Sequence, residues 1–95
     1  MIKIPVIRRT NYTVYYENVE GNTFVHCDCY GWNKIIKQQL MKDLDTLKEM
    51  HKGSWYALNT FNDTKRYKFL NLMNFNFLKE IIGTDGNKHQ IFVRT

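Results

Sequence analysis

Long apolar runs are missing from this sequence. No stretch approaches the roughly 18 residues that a membrane-spanning helix requires. The first ten residues carry Arg8-Arg9 and no continuous apolar core, so they do not read as a secretory leader. Cysteine is scarce as well: Cys27 and Cys29 are the only two. That number excludes the disulfide framework of a small secreted domain, and a bridge between strand positions i and i+2 would be strained. Two free thiols fit a reducing compartment, so a cytoplasmic protein is expected. Proline and alanine occur once each while Asn and Lys are abundant, a usage that fits an AT-rich phage or bacterial genome. No repeat, linker or low-complexity run divides the chain, and its 95 residues are read as one domain, 1–95.

An excess of acidic residues is also lacking. The formal charge is +5, which excludes mimicry of DNA, since that needs a strongly acidic surface. The positive residues are dispersed (Lys3, Arg8, Arg9, Lys34, Lys37, Lys42, Lys65, Arg66, Lys68, Arg94) and are mixed with Asp43, Asp45 and Glu49. Such mixing reads as a solubilising surface rather than a nucleic-acid patch. Aromatic residues are plentiful, at 15% of the chain. They give a small core large burial per residue, and they anchor protein interfaces.

Patterning places the elements. Residues 12–17 are β-branched and aromatic, Glu20-Gly21-Asn22 is a turn, and residues 23–30 form a second strand of a hairpin. Along that second strand Val25, Cys27 and Cys29 face one side, and Phe24, His26, Asp28 and Tyr30 the other. Apolar residues at 35, 36, 40, 44, 47 and 50 mark an amphipathic helix from Asn33 to His51, with Asn33 as its cap. Residues 54–58 read as a buried strand, and Asn62 or Asp63 caps a second helix that runs to Met73. Strands at 77–82 and 90–94 are joined by a loop with Asp85-Gly86, and an extra strand is expected at 2–7. The order β-β-α-β-α-β-β predicts an α/β (α+β) fold, a mixed and mainly antiparallel sheet with two helices. The expected core is Val14, Val25, Cys27, Ile36, Leu40, Leu44, Leu47, Trp55, Ala57, Phe69, Leu72, Ile91 and Val93.

That order, with Ala57-Leu58-Asn59 followed by Phe69-Leu70-Asn71-Leu72-Met73-Asn74-Phe75, resembles the central and C-terminal part of the GNAT N-acetyltransferase fold. The resemblance implies a truncated GNAT-like domain of the sort found in small phage proteins. The family holds the coenzyme pyrophosphate with a Gln/Arg-x-x-Gly-x-Gly/Ala loop. The stretch here, Cys29-Tyr30-Gly31-Trp32-Asn33-Lys34-Ile35, has one glycine and a bulky Trp. The family's tyrosine general acid falls on Leu70, and Tyr67 is out of register.

His26-Cys27-Asp28-Cys29 has ligand chemistry, but strand alternation sends the thiols to one face and His26 and Asp28 to the other, so a packed strand is expected rather than a zinc site. Asp28, with His26 beside it, occupies the strand on which some GNAT enzymes place a base. No catalytic, cofactor or metal residue is therefore expected, and the chain is read as a non-catalytic viral accessory protein that binds a host protein, an inhibitor of host defence. Nucleic acid is the alternative partner, no membrane is expected, and an acetyl-CoA-dependent N-acetyltransferase or a minor virion component is the alternative role. Tyr15, Tyr16, Phe75 and Phe77 are too many large aromatics for one core face, so they are the expected partner surface, with Lys65 and Arg66 at its rim.

Overall fold

The computed structural model describes residues 2–60 and 62–95. They form β1 (Lys3–Arg8), β2 (Tyr12–Val19), β3 (Asn22–Cys29), α1 (Lys34–Met50), β4 (Trp55–Thr60), α2 (Thr64–Leu72), β5 (Asn76–Ile82) and β6 (Lys88–Arg94). The fold is α+β, and the expected extra strand is β1. Two compact units divide the chain, residues 1–53 and 54–95.

In the first unit β1, β2 and β3 pair as an antiparallel meander. The β2–β3 turn is two residues long, Glu20 and Gly21, both at positive φ (52° and 83°). A hairpin turn of this kind matches the strand twist, and glycine enters that region without steric cost. It fixes the pairing from Tyr12↔Cys29 to Val19↔Asn22. Helix α1 starts where Asn33 Oδ1 accepts the Ile36 N–H at 2.8 Å, as the sequence predicts. Ile36, Leu40 and Leu44, four residues apart, are its buried stripe.

A carboxylate ties this helix to the strands. Asp43 on α1 accepts two hydrogen bonds from the Arg9 guanidinium, both 2.9 Å, and one from the hydroxyl of fully buried Tyr12. The bidentate Arg–carboxylate pair fixes geometry as well as charge. Its guanidinium holds the Asp43 carboxyl below its ordinary range, with the Tyr12 hydroxyl adding to the effect. Tyr12 is pushed up, first by burial and then by Asp43. The face carrying Tyr12, Val14, Tyr16 and Val25 is therefore the helix side, and His51 meets Tyr16 edge-on there at 5.7 Å.

In the second unit β6 pairs with β4 on one side and β5 on the other, all antiparallel. Its core is Trp55, Ala57, Leu70, Met73, Phe75 and Phe92. Asp63, not Asn62, caps α2 by accepting the Arg66 N–H at 3.0 Å. The helix closes with a Schellman motif. Asn74 is in the left-handed region (φ 68°), its N–H reaches Asn71 O at 3.1 Å, and Phe75 N–H reaches Leu70 O at 2.9 Å. Asn is one of the few residues that tolerate this conformation.

The structure corrects the expected core. Leu72 is exposed, because the α2 face that meets the sheet is centred on Leu70 and Met73. Cys27, Leu47, Phe69, Ile91 and Val93 are only half-buried. Phe24 is buried alongside Val25, although alternation assigns them to opposite faces. Tyr12, Met73 and Phe92, which periodicity did not single out, are almost wholly buried.

Two measurements test this packing. Leu44→Ala should cost about 2–5 kcal/mol by opening a cavity under α1, a large share of a small domain's stability, and thermal or denaturant unfolding reads it. Because Asp43 titrates lower folded than unfolded, its contribution is complete above the unfolded value near 3.8 and is lost as pH falls through the lower folded value. Asp43→Asn should therefore melt lower at pH 7 and show a shallower further loss between pH 5 and pH 2, roughly the range over which such a carboxyl titrates.

Candidate active site

The hairpin register brings one group of polar side chains together on the face of the first unit turned away from α1. Thr13 lies opposite Asp28 and Tyr15 opposite His26, with Glu17 one step along. His26 Nε2 and Glu17 Oε1 are 2.9 Å apart, a diagonal cross-strand pair. Both side chains are mostly sheltered, 24% and 15% exposed. The Tyr30 hydroxyl donates to Thr13 Oγ1 at 3.1 Å. Tyr15 is pushed up first by its hydrogen bond with Tyr30, then by desolvation, with the Asp28 charge contributing.

The imidazole and the carboxylate are paired within the hairpin itself. A carboxylate at hydrogen-bond distance from one imidazole nitrogen fixes the ring's tautomer and leaves the other nitrogen to accept a proton. Asp28 is on the same face and exposed. Sequence reasoning put His26, Asp28 and Tyr30 on one face but missed Glu17 and Thr13. The signal was the turn: read as two residues instead of three, it sets Tyr15 against His26 and brings Glu17 diagonally to the imidazole.

The expected partner residues divide between the two units. Tyr15 belongs to the polar cluster just described, while Tyr16 lies on the opposite face of β2 against His51. In the second unit Lys65 and Arg66 are exposed on α2, and Phe77 is 46% exposed. Phe75 is a correction: it is buried, stacked on Trp55 with ring centroids 6.3 Å apart, because the Schellman turn directs it inward. Leu70 is buried, and Tyr67 packs edge-on to Phe92 at 5.2 Å.

Two further places matter. The first turn of α1 contains no acidic residue and begins with Lys34, so its N-terminus favours an anion. Trp32 before it is 48% exposed. In the second unit a cavity of about 190 Å³ is lined by Asn59, Asn62, Asp63, Thr64, Tyr67 and Gln90. Asn59 is inside β4 rather than in the loop after it, and is buried. Its Nδ2 donates to Asp63 O (3.2 Å) and Gln90 Oε1 (2.9 Å). It joins β4, β6 and the α2 cap. Among the described residues no group of three or more His, Cys, Asp or Glu is placed to hold a metal, and no helix is long and apolar enough to cross a membrane.

No protein-family model and no curated protein matches the sequence. Solved structures do match. The ribosomal-protein-S5-alanine acetyltransferase from Vibrio fischeri aligns with a TM-score of 0.68 at 16% identity, over 88% of this chain and 53% of that one. The fold is GNAT-like. A candidate acetyltransferase from Sphaerobacter thermophilus aligns at TM-score 0.52 and 7% identity, over 92% of this chain and 61% of that one. The GNAT-like chain thus spans between half and two thirds of the length of these proteins. The expectation of a protein without enzymatic activity is corrected here, because both of these solved structures are of acetyltransferases. That expectation rested on the single glycine and bulky Trp32 of the loop and on Leu70 at the position of the family's tyrosine. Neither match points to a viral source or to a role in host defence.

The site makes a titration prediction. Tyr30→Phe removes the main cause holding Tyr15 up, so the Tyr15 phenol should titrate closer to its ordinary value of 10.0. NMR of ring-labelled tyrosine resolves it from Tyr12, whose own elevation should be unchanged.

Proposed function

We propose that this chain works in acyl transfer from acetyl-CoA to a primary amine. The observation that carries the reading is the alignment of 88% of the chain with an acetyltransferase at a TM-score of 0.68. The oriented His26–Glu17 pair gives it a chemical basis. An amine must lose a proton before its lone pair can attack an acyl carbon. With the Nε2–H hydrogen-bonded to Glu17, His26 Nδ1 is the nitrogen that accepts it, the Glu17 carboxylate stabilises the imidazolium, and the imidazolium gives that proton up to the thiolate that leaves as the acyl C–S bond breaks. Asp28, on the same face, adds negative potential that attracts a cationic amine.

Bound acetyl-CoA would supply the activated acyl group. The residues that fit its anionic end are the α1 N-terminus and Lys34, where no acid opposes a phosphate. Gly31 is the one glycine in that stretch, and a Cβ there would sit 3.4 Å from Asn11 Oδ1, so the backbone already passes close to a neighbour. The Vibrio fischeri enzyme, by its name, modifies a ribosomal protein, and a protein amine is the first acceptor class to test. Exposed Lys65, Arg66 and Phe77 offer such a partner basic and aromatic contacts. The two free thiols suit a cytoplasmic setting.

Calorimetry with acetyl-CoA should show micromolar binding, and a peptide-array assay with labelled acetyl-CoA should show transfer. His26→Ala should lower the rate about 100- to 10,000-fold, the span of lost general-base catalysis, while leaving acetyl-CoA affinity intact. Glu17→Gln should lower it less. Absence of acetyl-CoA binding would overturn the reading.

A further inference from the structure

The cavity of about 190 Å³ in the second unit has no part in the acyl-transfer reading. Every described side chain that lines it is polar, and none is a lysine, arginine or histidine; Lys65 and Arg66 follow in the chain but do not line it. It is smaller than the roughly 300–1,000 Å³ of a site for a drug-sized ligand, and suits a single head group.

Asn59 shows what that head group must supply. It is 1% exposed and lines the cavity from inside β4. Its amide can be oriented one way only. Asp63 O is a backbone carbonyl that can only accept, so the Asn59 amide nitrogen faces it, at 3.2 Å. The other amide hydrogen goes to Gln90 Oε1 at 2.9 Å. Both donors are committed, and Asn59 Oδ1 is buried with no hydrogen-bond partner. A buried acceptor in this state is costly, and a donor brought from outside relieves it.

The rest of the wall says what kind of donor. Asp63 gives one carboxylate oxygen to the Arg66 N–H at 3.0 Å and keeps the other. Thr64 and Tyr67 add hydroxyls, and the edge contact of the Tyr67 ring with Phe92 at 5.2 Å holds that ring in place. One negative charge and several neutral oxygens match a group that is positive and rich in N–H. An alkylammonium carries three such donors, and a carboxylate offsets the cost of taking its charge out of water. We propose that this cavity binds a primary ammonium head group, with Asn59 Oδ1 and Asp63 as its principal acceptors. The site goes beyond the acyl-transfer reading and needs no acetyl-CoA.

Isotope-labelled full-length protein titrated with n-propylammonium chloride at neutral pH and constant ionic strength tests it by NMR. The side-chain amide signals of Asn59 and Gln90 should shift and saturate in the millimolar range, the strength that a ligand of so few atoms reaches. Potassium has charge without N–H and acetamide has N–H without charge, and each should bind about tenfold more weakly or worse. Asp63→Asn keeps a capping residue on α2, its spectrum shows that it folds, and it should weaken binding about tenfold or more. Nα-acetyl-lysine amide separates the sources of the head group. Tighter binding than n-propylammonium makes the ligand a lysine side chain, weaker binding a free amine, and either supports the site. No saturable shift at Asn59 and Gln90, equal binding of potassium or acetamide, or wild-type affinity in Asp63→Asn overturns it. The acyl-transfer reading fails separately, on acetyl-CoA binding.

Discussion

Two residues with positive φ, Glu20 and Gly21, set the geometry on which the first unit depends. A two-residue turn leaves one register available to the strands it joins, and in a strand a slip of one residue exchanges the faces. With Tyr12 opposite Cys29, the hydroxyl of Tyr12 is delivered to Asp43 on α1. The same register sets Tyr15 against His26 and brings Glu17 within 2.9 Å of the imidazole. A longer turn would break both arrangements together. The helix anchor and the candidate catalytic pair are two consequences of one backbone constraint, expressed on opposite faces of one hairpin.

The second unit is organised differently. Its centre is a set of aromatic contacts, with Phe92 receiving the edges of Tyr67 and Phe77 and Trp55 lying between Phe75 and the Arg94 guanidinium. Rings of this size bury much area per residue, which lets a short chain close a core. Among its polar groups Asn59 is the buried one, and its amide group links a strand, a helix cap and a neighbouring strand. The aromatic excess in the composition is therefore spent partly on packing: Phe75 is core, and Phe77 has one edge in contact and the rest in solvent.

A GNAT-like fold that lacks one glycine in its anion loop has two readings, loss of activity or a different way of meeting the same ligand. The second is the reading proposed above. At the α1 N-terminus an Asn cap, an initial Lys34 and the absence of acidic side chains retain the electrostatics that phosphate recognition uses. Sequence motifs describe one solution to anion binding, whereas oriented N–H groups and local charge are what the chemistry requires.

Local sequence determined the eight elements, both helix caps to within one residue, and the amphipathic stripe of α1, because those depend on side chains a few positions apart. It also placed His26 and Asp28 on one face, since alternation along a strand is a property of the backbone. Tertiary structure alone decided which large apolar residues are buried, as Phe75 and Leu72 show: their environment depends on the direction in which α2 ends and on what packs beneath it. It also decided the partners of His26, Tyr15 and Asp43, which lie between 9 and 34 residues away in the chain or answer to a neighbour across the hairpin. Alternation and periodicity say which way a side chain leaves its own element. What it meets there is set by register and packing between elements, and no local pattern encodes that.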